Sequence, residues 1–245
     1  MKDQYVGDIG DFVKLALLRA ISSGQRVGVV WWKTENDPKK KDGRFINYLK
    51  NDLRWRGLDP PLFDHLRRVV RAGYRSIAAL EEPQLLPECR MFWSNPIPCP
   101  PGHPYERRRL ERRRWFADAL NALNLHDCDL VFLDPDNGIA SPRCKATHRR
   151  ATKYVFLDEL CELRANGPNA TIVVYHHNTR RFGGHGEEVA SWLKQLAAEG
   201  WRPQALRARS HSPRTFFLLN ATMGVSARTL AFASKWRDHG VELFK

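Results

Sequence analysis

The sequence predicts an α/β protein with a Rossmann-like, mostly parallel sheet that is flanked by helices and carries a helical insertion. Short, β-rich apolar runs alternate with helix-length amphipathic segments, first near the N-terminus and again from residue 128 onward. Strands separated by such helices form right-handed crossovers and a parallel sheet that is covered on both faces. Because 245 residues can bury the core of one large domain, we treat 1–245 as a single α/β domain.

The first predicted elements are one helix and one strand. Residues 11–22 place apolar side chains at helical spacing, and Gly24 follows as a stop signal. Residues 26–32 (RVGVVWW) form an apolar, β-rich run that is typical of a buried parallel strand. A polar loop with an Asp-Gly turn signal comes next, so we expect the strand to end where this loop begins.

Residues 45–127 show a different pattern, and we interpret them as a mostly helical insertion or cap within the domain. They contain helical stretches, a proline-rich loop and one arginine-dense segment. The short apolar piece at 89–94 has the length of a strand. After the insertion we expect strands near 129–134, 170–176 and 214–221, with helical segments at 153–165 and 187–200.

The charge balance favours polyanionic partners. The chain has 40 Lys and Arg residues against 27 Asp and Glu residues, which gives a net charge of +13. Basic proteins bind nucleic acids by neutralising phosphates, which releases counterions, and arginine forks match phosphate oxygens. The segment ERRRLERRR at 106–114 is either a solvated helix or a phosphate-binding one. We expect nucleic acid as the partner, contacted by Arg107, Arg108, Arg112, Arg113, Arg180 and Arg181.

The cysteine pattern and the hydropathy predict a cytoplasmic protein. The five cysteines are odd in number, widely spaced and without a C-x-x-C pair, which favours reduced thiols over disulfides or a zinc site. No apolar run approaches the ~20 residues of a membrane span. The N-terminus carries acidic residues where a signal peptide has an apolar segment. We therefore expect no membrane association.

Polar residues directly follow the predicted strand at 130–133. The stretch LVFLDPDNGIAS turns from apolar to polar at Asp134, and Asp136 and Asn137 come next. In open α/β sheets the ligand lies beyond the carboxyl ends of the strands, so we expect Asp134 at the rim of a pocket. A turn would also explain Asn137 and Gly138. We take Asp134, Asp136 and Asn137 as candidate catalytic residues.

A second polar cluster follows the predicted strand at 170–175. It includes His176, His177 and Asn178. Adjacent histidines on a strand point to opposite faces, so at most one of them enters a given pocket, and a metal site is not favoured. We take His176 as the candidate for acid–base chemistry, with a solvated histidine as the alternative.

A third cluster lies at the start of the first predicted helix. Gly7, Asp8, Asp11 and Lys14 occur within the segment GDIGDFVK. An acid at the start of a helix is explained equally by capping and by contact with a ligand.

This N-terminal segment resembles the motif G-N-H-A-D-x-x-K-H of the 23S ribosomal RNA adenine-N6 methyltransferase family, with matches at Gly7, Asp11 and Lys14. The residues DPDN at 134–137 align with the D-P-P-Y motif of that family, and the segments KYVFLDEL, IVVYHHN and PRTFFLLNA follow in the family's order. The chain departs from the family in two places. Trp32 and Lys33 stand where the family has a small-residue loop, and Asp-Asn replaces the second proline and the aromatic residue of D-P-P-Y.

The resemblance implies a methyltransferase-like enzyme that acts on a base amine of RNA or DNA with S-adenosylmethionine as its cofactor. In that case Asp134 orients the target amine, because methyl transfer depends mainly on positioning. The implied cofactor contacts are Gly7, Asp8, Asp11, Lys14 and Lys33.

Two other functions fit the same residues. In a nuclease or phosphodiesterase, Asp134 and Asp136, together with Asp8 or Asp11, would bind Mg²⁺, since this ion prefers oxygen ligands. A histidine of the second cluster would then be the general base. Alternatively, the chain is a non-catalytic module that binds nucleic acid through its basic surface.

Overall fold

The computed structural model describes residues 1–34, 36, 43–98, 105–146, 148, 150–167, 169–179 and 182–244. These residues form seven α-helices: α1 (Ile9–Ile21), α2 (Asp52–Trp55), α3 (Pro60–Arg71), α4 (Tyr105–Leu123), α5 (Leu157–Asn166), α6 (Gly184–Ala198) and α7 (Met223–Lys235). They also form nine strands: β1 (Val27–Trp31), β2 (Cys89–Trp93), β3 (Leu130–Asp134), β4 (Gly138–Ile139), β5 (Tyr154–Val155), β6 (Thr171–His177), β7 (Pro203–Ala208), β8 (Arg214–Leu219) and β9 (Val241–Phe244). Within this described part of the chain, none of the helices is long and apolar enough to cross a membrane.

Seven of the strands form one central sheet in the order β2-β1-β3-β6-β8-β7-β9. Strands β2, β1, β3 and β6 run parallel to one another, whereas β8 runs antiparallel to both β6 and β7. Strand β9 runs antiparallel to β7, so only β8 and β9 oppose the direction of the others. This Rossmann-like, mostly parallel sheet flanked by helices confirms the predicted fold class.

The direction of β8 differs from the parallel strand that the sequence predicts. The chain reverses between Ala208 and Arg214, and so short a connection joins neighbouring strands only as an antiparallel hairpin. A parallel connection would need a crossover of about a dozen residues or more. The sequence analysis also missed β7, because its residues PQALRA include no β-branched or aromatic side chain.

Two hydrophobic clusters cover the two faces of the central sheet, because successive strand residues point to opposite sides. Val29 and Phe132 pack with α1, α3 and α7 on one face. Val30 and Leu133 pack with α4, α5 and α6 on the other. This two-sided burial explains why β1 and β3 read as continuous apolar runs rather than alternating ones.

The segment 45–127, which we expected to be a mostly helical insertion or cap, connects β1 to β3. Its helix α3 packs against α1, and its helix α4 packs against β2 and β1 on the opposite face. The apolar piece CRMFWS supplies β2, which extends the central sheet parallel to β1. The segment therefore contributes one strand to the sheet as well as helices to both of its faces.

The strand order reverses at β1. From β1 the chain passes to β2 on one side and then to β3 on the other. In open α/β sheets the crevice that binds ligands lies at such a switch point, outside the carboxyl ends of the strands. Trp31 and Asp134, the last residues of β1 and β3, are register partners at this point.

Candidate functional site

A cavity of about 300 Å³ lies at the carboxyl ends of β3 and β6. Its walls come from the first turns of α1, the segment after β3, the end of β6 and the start of β8. Ligand sites usually occupy about 300–1,000 Å³, so this cavity has the size of a small-ligand site. The residues predicted from sequence that line it are Asp8, Asp11, Lys14, Asp134, Asp136 and Asn137.

A buried lysine joins two carboxylates in the wall of this cavity. Lys14 Nζ donates hydrogen bonds to Asp11 Oδ1 and to Asp134 Oδ2, each at 2.9 Å. Lys14 is 4 % exposed and Asp134 is 2 % exposed. Lys14 and Asp134 lie 120 residues apart in the sequence. We call these three residues the Asp11–Lys14–Asp134 network.

The charges within this network stabilise one another. Burial by itself lowers the pKa of Lys14, but the carboxylates of Asp11 and Asp134 outweigh burial and hold the pKa above its ordinary value. Burial also raises the pKa of Asp11 to about 6, although Lys14 opposes this shift. Lys14 therefore keeps its proton at neutral pH and acts as a cation rather than as a base.

A helix cap positions the N-terminal part of the network. Asp8 precedes α1, and its Oδ1 accepts a hydrogen bond from the amide of Asp11 at 3.0 Å, so Asp8 caps the helix as well as lining the cavity. Gly7 has a φ of +82°, in the left-handed region that favours glycine, and its amide donates to Asp11 Oδ2 at 3.2 Å. Asp11 and Lys14 then follow one helical turn apart, on the same side of α1.

The segment after β3 carries a second ion pair. Lys153 Nζ donates to Asp136 Oδ2 at 2.8 Å. Burial by itself raises the pKa of Asp136, but the α-amino group of Met1 and the charge of Lys153 outweigh it, so the pKa is lowered. The amide of Asn137 donates to the carbonyl of Lys153, which ties this segment to the turn before β5. The sequence analysis missed Lys153, because no local pattern connects it with Asp136.

Strand β6 contributes Tyr175 and His177 to the cavity. The hydroxyl of Tyr175 lies 3.4 Å from His177 Nδ1, and Lys14 Nζ lies 5.4 Å from the centre of the Tyr175 ring. Burial raises the pKa of Tyr175 to about 12, so its hydroxyl keeps its proton. Burial and the neighbouring charge of Arg214 lower the pKa of His177, so its ring is uncharged at neutral pH.

His176, which we took as the candidate for acid–base chemistry, points away from the cavity. Its Nδ1 accepts a hydrogen bond from the amide of Ile139 at 3.1 Å, and its Nε2 lies 3.3 Å from Glu188 Oε1. The two histidines do point to opposite faces of β6, as the strand period requires. The residue on the cavity side is His177, because the cavity lies on the side of β6 that Tyr175 and His177 face.

The close packing of β4 against β6 requires glycine at position 138, so Gly138 does more than form a turn. It begins β4 with a φ of +100°, and a Cβ atom at this position would lie 2.4 Å from His176 Nδ1 and 2.6 Å from His176 Cα. Only glycine lets β4 approach β6 this closely without strain. The glycine of the Asp-Asn-Gly sequence after β3 therefore reflects close packing against His176.

The carboxylate of Glu188 should make the stability of the protein depend on pH. Glu188 accepts hydrogen bonds from the amide and the hydroxyl of Thr179, each at 2.8 Å. Burial by itself raises the pKa of Glu188, but the hydrogen bonds of His176 and Thr179 lower it to about 2, from an ordinary value of 4.5. The unfolded state therefore binds more protons, so this stabilisation is complete above pH 4.5 and is lost as the pH falls towards 2.

We expect Glu188→Gln to lower the free energy of unfolding by about 3 kcal/mol at pH 7 and by progressively less as the pH falls from 4.5 to 2. Urea denaturation of both proteins across this pH range measures the difference. A difference that stays the same at pH 7 and at pH 3 would show that the carboxylate charge is not responsible.

Large side chains fill the space next to the carboxyl end of β1. Trp32 is fully buried and packs against Trp115, with ring centres 5.0 Å apart. The α-amino group of Met1 donates to the carbonyl of Trp32 at 2.5 Å and to the carbonyl of Asp134 at 3.4 Å. Lys33, a cofactor contact implied by the resemblance, is half-buried and does not line the cavity.

The arginines predicted to bind nucleic acid fall into different environments. Arg107 and Arg113 are exposed on α4, and Arg107 pairs with Glu111 at 2.9 Å. Arg108 is half-buried on the same helix. Arg112 is 5 % exposed, and its guanidinium donates to both carboxylate oxygens of Glu159, at 2.6 and 2.8 Å. Arg112 therefore holds α4 against α5 and is not free to bind phosphate, while positions 180 and 181 lie outside the described residues.

Among the described residues, no group of three or more His, Cys, Asp and Glu side chains is placed to hold a metal ion. Asp134 and Asp136, the proposed Mg²⁺ ligands, are instead each paired with a lysine. No protein-family model matches the chain, and a search of curated proteins finds no significant match.

Proposed function

We propose that the chain is an S-adenosylmethionine-dependent methyltransferase that acts on a base amine of nucleic acid. The Asp11–Lys14–Asp134 network carries this proposal. It joins Asp11 and Lys14, two of the three residues that match the N-terminal methyltransferase motif, to Asp134, the first residue of the segment aligned with D-P-P-Y. The amide of Gly7, the third matching residue, donates to Asp11. Residues that are distant in the sequence thus meet in one cavity at the rim of the sheet.

The cavity offers groups of the kinds that S-adenosylmethionine requires. The carboxylates of Asp8 and Asp11 can accept hydrogen bonds from hydroxyl and ammonium groups. The rings of Tyr5 and Phe45 line the same cavity and can contact a flat base. When bound, S-adenosylmethionine supplies an activated methyl group.

Asp134 has the geometry to orient the amine that receives the methyl group. Lys14 occupies its Oδ2 oxygen and fixes the carboxylate in place, which leaves Oδ1 as an acceptor within the described part of the cavity. A fixed acceptor is what amine methylation needs, because the reaction depends on holding the nitrogen in line with the methyl group.

The basic helix α4 supports a nucleic-acid substrate. Arg112 donates to the carbonyls of Ala151 and Tyr154, at 2.8 and 2.6 Å, and so connects α4 to the segment that contains Lys153. Lys153 lines the cavity. The exposed arginines of α4, which include Arg107 and Arg113, can contact phosphates.

The test is a methyl-transfer assay with labelled S-adenosylmethionine and total RNA or DNA, combined with calorimetric binding of S-adenosylmethionine. We expect the wild-type protein to bind the cofactor and transfer the label, and Asp134→Asn to lower the transfer rate by about 100-fold. Asp129→Asn is the matched control, since Asp129 precedes β3 at the opposite end of that strand and pairs with Arg26. Absence of cofactor binding, or equal losses in the two variants, would contradict the proposal.

A further inference from the structure

One of the buried arginines forms no direct salt bridge among the described residues. Arg112 and Arg207 each form a salt bridge with a glutamate. Arg214 is 7 % exposed, yet the only hydrogen bond of its side chain within the described chain runs from Nη2 to Ser212 Oγ at 2.7 Å, and its Nε has no partner. Burial by itself lowers the pKa of Arg214, but Tyr175 and the carboxylates of Asp8, Asp11 and Asp134 outweigh burial and raise the pKa, so the guanidinium stays charged. Most of its hydrogen-bond donors are nevertheless unused within the described chain.

Arg214 lies in the wall of the cavity beside the first turn of α1. It begins β8, and a Cβ atom added to Gly10 would lie 1.7 Å from its Nη1. Within this turn, the amide of Ile9 donates to a carbonyl and the amide of Asp11 donates to the cap. The amide of Gly10 has no acceptor among the described residues. Among the described residues, a guanidinium with one side-chain hydrogen bond and a helix N-terminal amide without an acceptor therefore lie close together.

The acids of the cavity attract Arg214, but none of them forms a direct salt bridge with it. Asp11 and Asp134 share the charge of Lys14, and Asp136 is paired with Lys153. Asp8 caps α1 through its Oδ1 and forms no salt bridge with Arg214. Arg214 is thus left as the cation in the cavity wall that can receive an anionic group from a ligand.

We propose that Arg214, the amide of Gly10 and the hydroxyl of Ser212 form a phosphate-binding subsite. The N-terminal turn of a helix favours anions through its free amides and its dipole, and a guanidinium donates to two oxygens at once. Together with a hydroxyl, these donors match the several oxygens of a phosphate better than the two of a carboxylate. The phosphate belongs to the nucleic-acid substrate, an assignment of its source that rests on the proposed function.

The test is calorimetric titration of inorganic phosphate at pH 7.5 and constant ionic strength. We expect millimolar affinity for the wild-type protein and a loss of about 10-fold or more in Arg214→Gln. Arg214→Lys keeps the positive charge but loses the guanidinium that donates to two oxygens at once. Its affinity for phosphate should therefore lie between those of the wild-type protein and Arg214→Gln. Arg209→Gln is the matched control, because Arg209 lies on the same hairpin and is exposed, and it should leave the affinity unchanged.

Each outcome of these titrations either supports or overturns the phosphate-binding subsite. Phosphate binding that survives Arg214→Gln, that disappears equally in Arg209→Gln, or that is missing from the wild-type protein overturns the subsite, as does equal affinity for acetate. If Arg214→Gln fails to fold, Ser212→Ala replaces it and should weaken phosphate about 3-fold, the loss of one hydrogen bond. AMP should bind more tightly than adenosine if the source is a nucleotide phosphate.

The same titration separates this inference from the proposed function. Asp134→Asn removes a carboxylate and no phosphate donor, so it should not weaken the binding of inorganic phosphate. Phosphate binding through Arg214 without S-adenosylmethionine binding would end the methyltransferase proposal and leave the subsite standing. If Arg214→Gln binds the cofactor and transfers the methyl group as the wild-type protein does, and no phosphate binding is found, the subsite is overturned. The methyltransferase proposal then stands.

Discussion

Replacing Lys14 with methionine should lower the free energy of unfolding by about 3–5 kcal/mol. The substitution keeps most of the side-chain volume but removes the cation shared by Asp11 and Asp134, each 2.9 Å from Lys14 Nζ. Two carboxylates are then left buried without the cation that bonds to both of them, which is far more costly than the loss of an exposed pair. Urea denaturation at pH 7.5, followed by tryptophan fluorescence, measures the change.

Two controls separate this charge effect from a general sensitivity to methionine. Lys194→Met changes an exposed lysine on α6 and should shift the free energy of unfolding by no more than about 0.5 kcal/mol. Adding Asp11→Asn and Asp134→Asn to Lys14→Met should restore much of the loss, since no buried charge is left unpaired. A loss below about 1 kcal/mol in Lys14→Met would mean that the network contributes little to stability.

The second large effect is expected at Arg112. Its guanidinium forms two hydrogen bonds with Glu159 and two with backbone carbonyls, all in a buried setting. Arg112→Met leaves Glu159 buried without a cation, so we expect the free energy of unfolding to fall by about 3–5 kcal/mol. Thermal and urea denaturation both report this change.

Arg113→Met is the matched control for Arg112→Met. The two arginines are adjacent on α4, but Arg113 is exposed, and its replacement should change stability by no more than about 0.5 kcal/mol. Equal destabilisation by the two variants would show that Arg112 is not an anchor. A double variant, Arg112→Met with Glu159→Gln, should be more stable than Arg112→Met alone.

The fold class could be predicted because the buried parallel strands have a recognisable sequence pattern. Residues 27–31 and 130–133 are continuous apolar runs, a pattern that arises when both faces of a strand are covered. The antiparallel hairpin of β7 and β8 has no comparable signal in β7. Its direction follows from the short connection between them, which can be read only once β7 is recognised as a strand.

Prediction of the site succeeded where it depended on the end of a single strand and failed where it depended on contacts between elements. Asp134 reaches the cavity because a polar residue that ends a parallel strand lies at the ligand edge. The choice between His176 and His177 needed the side of β6 that faces the cavity, which β6 alone does not reveal. Lys153 and Arg214 belong to later segments of the chain, so only the tertiary structure places them in the same cavity as Asp134.

The burial of Arg112 did have a signal in the sequence. Arg112 precedes Trp115 by three residues and Phe116 by four, and both aromatic residues are buried. Positions with this spacing share one face of a helix. Six arginines within nine residues therefore do not form one uniform basic surface, because the apolar stripe of α4 includes one of them.

The order of strands in the sheet implies an order of events during folding. The C-terminal strands β6, β7, β8 and β9 all lie within residues 171–244, so the strands that pair among them are close in the sequence. Strand β1, in contrast, pairs with β3 across the whole segment 45–127. Closing the longer loop costs more entropy and slows pairing. We expect the C-terminal strands to acquire protected amides first in pulse-labelled hydrogen exchange. The cavity, which needs Lys14 from one part and Arg214 from the other, would then be completed last.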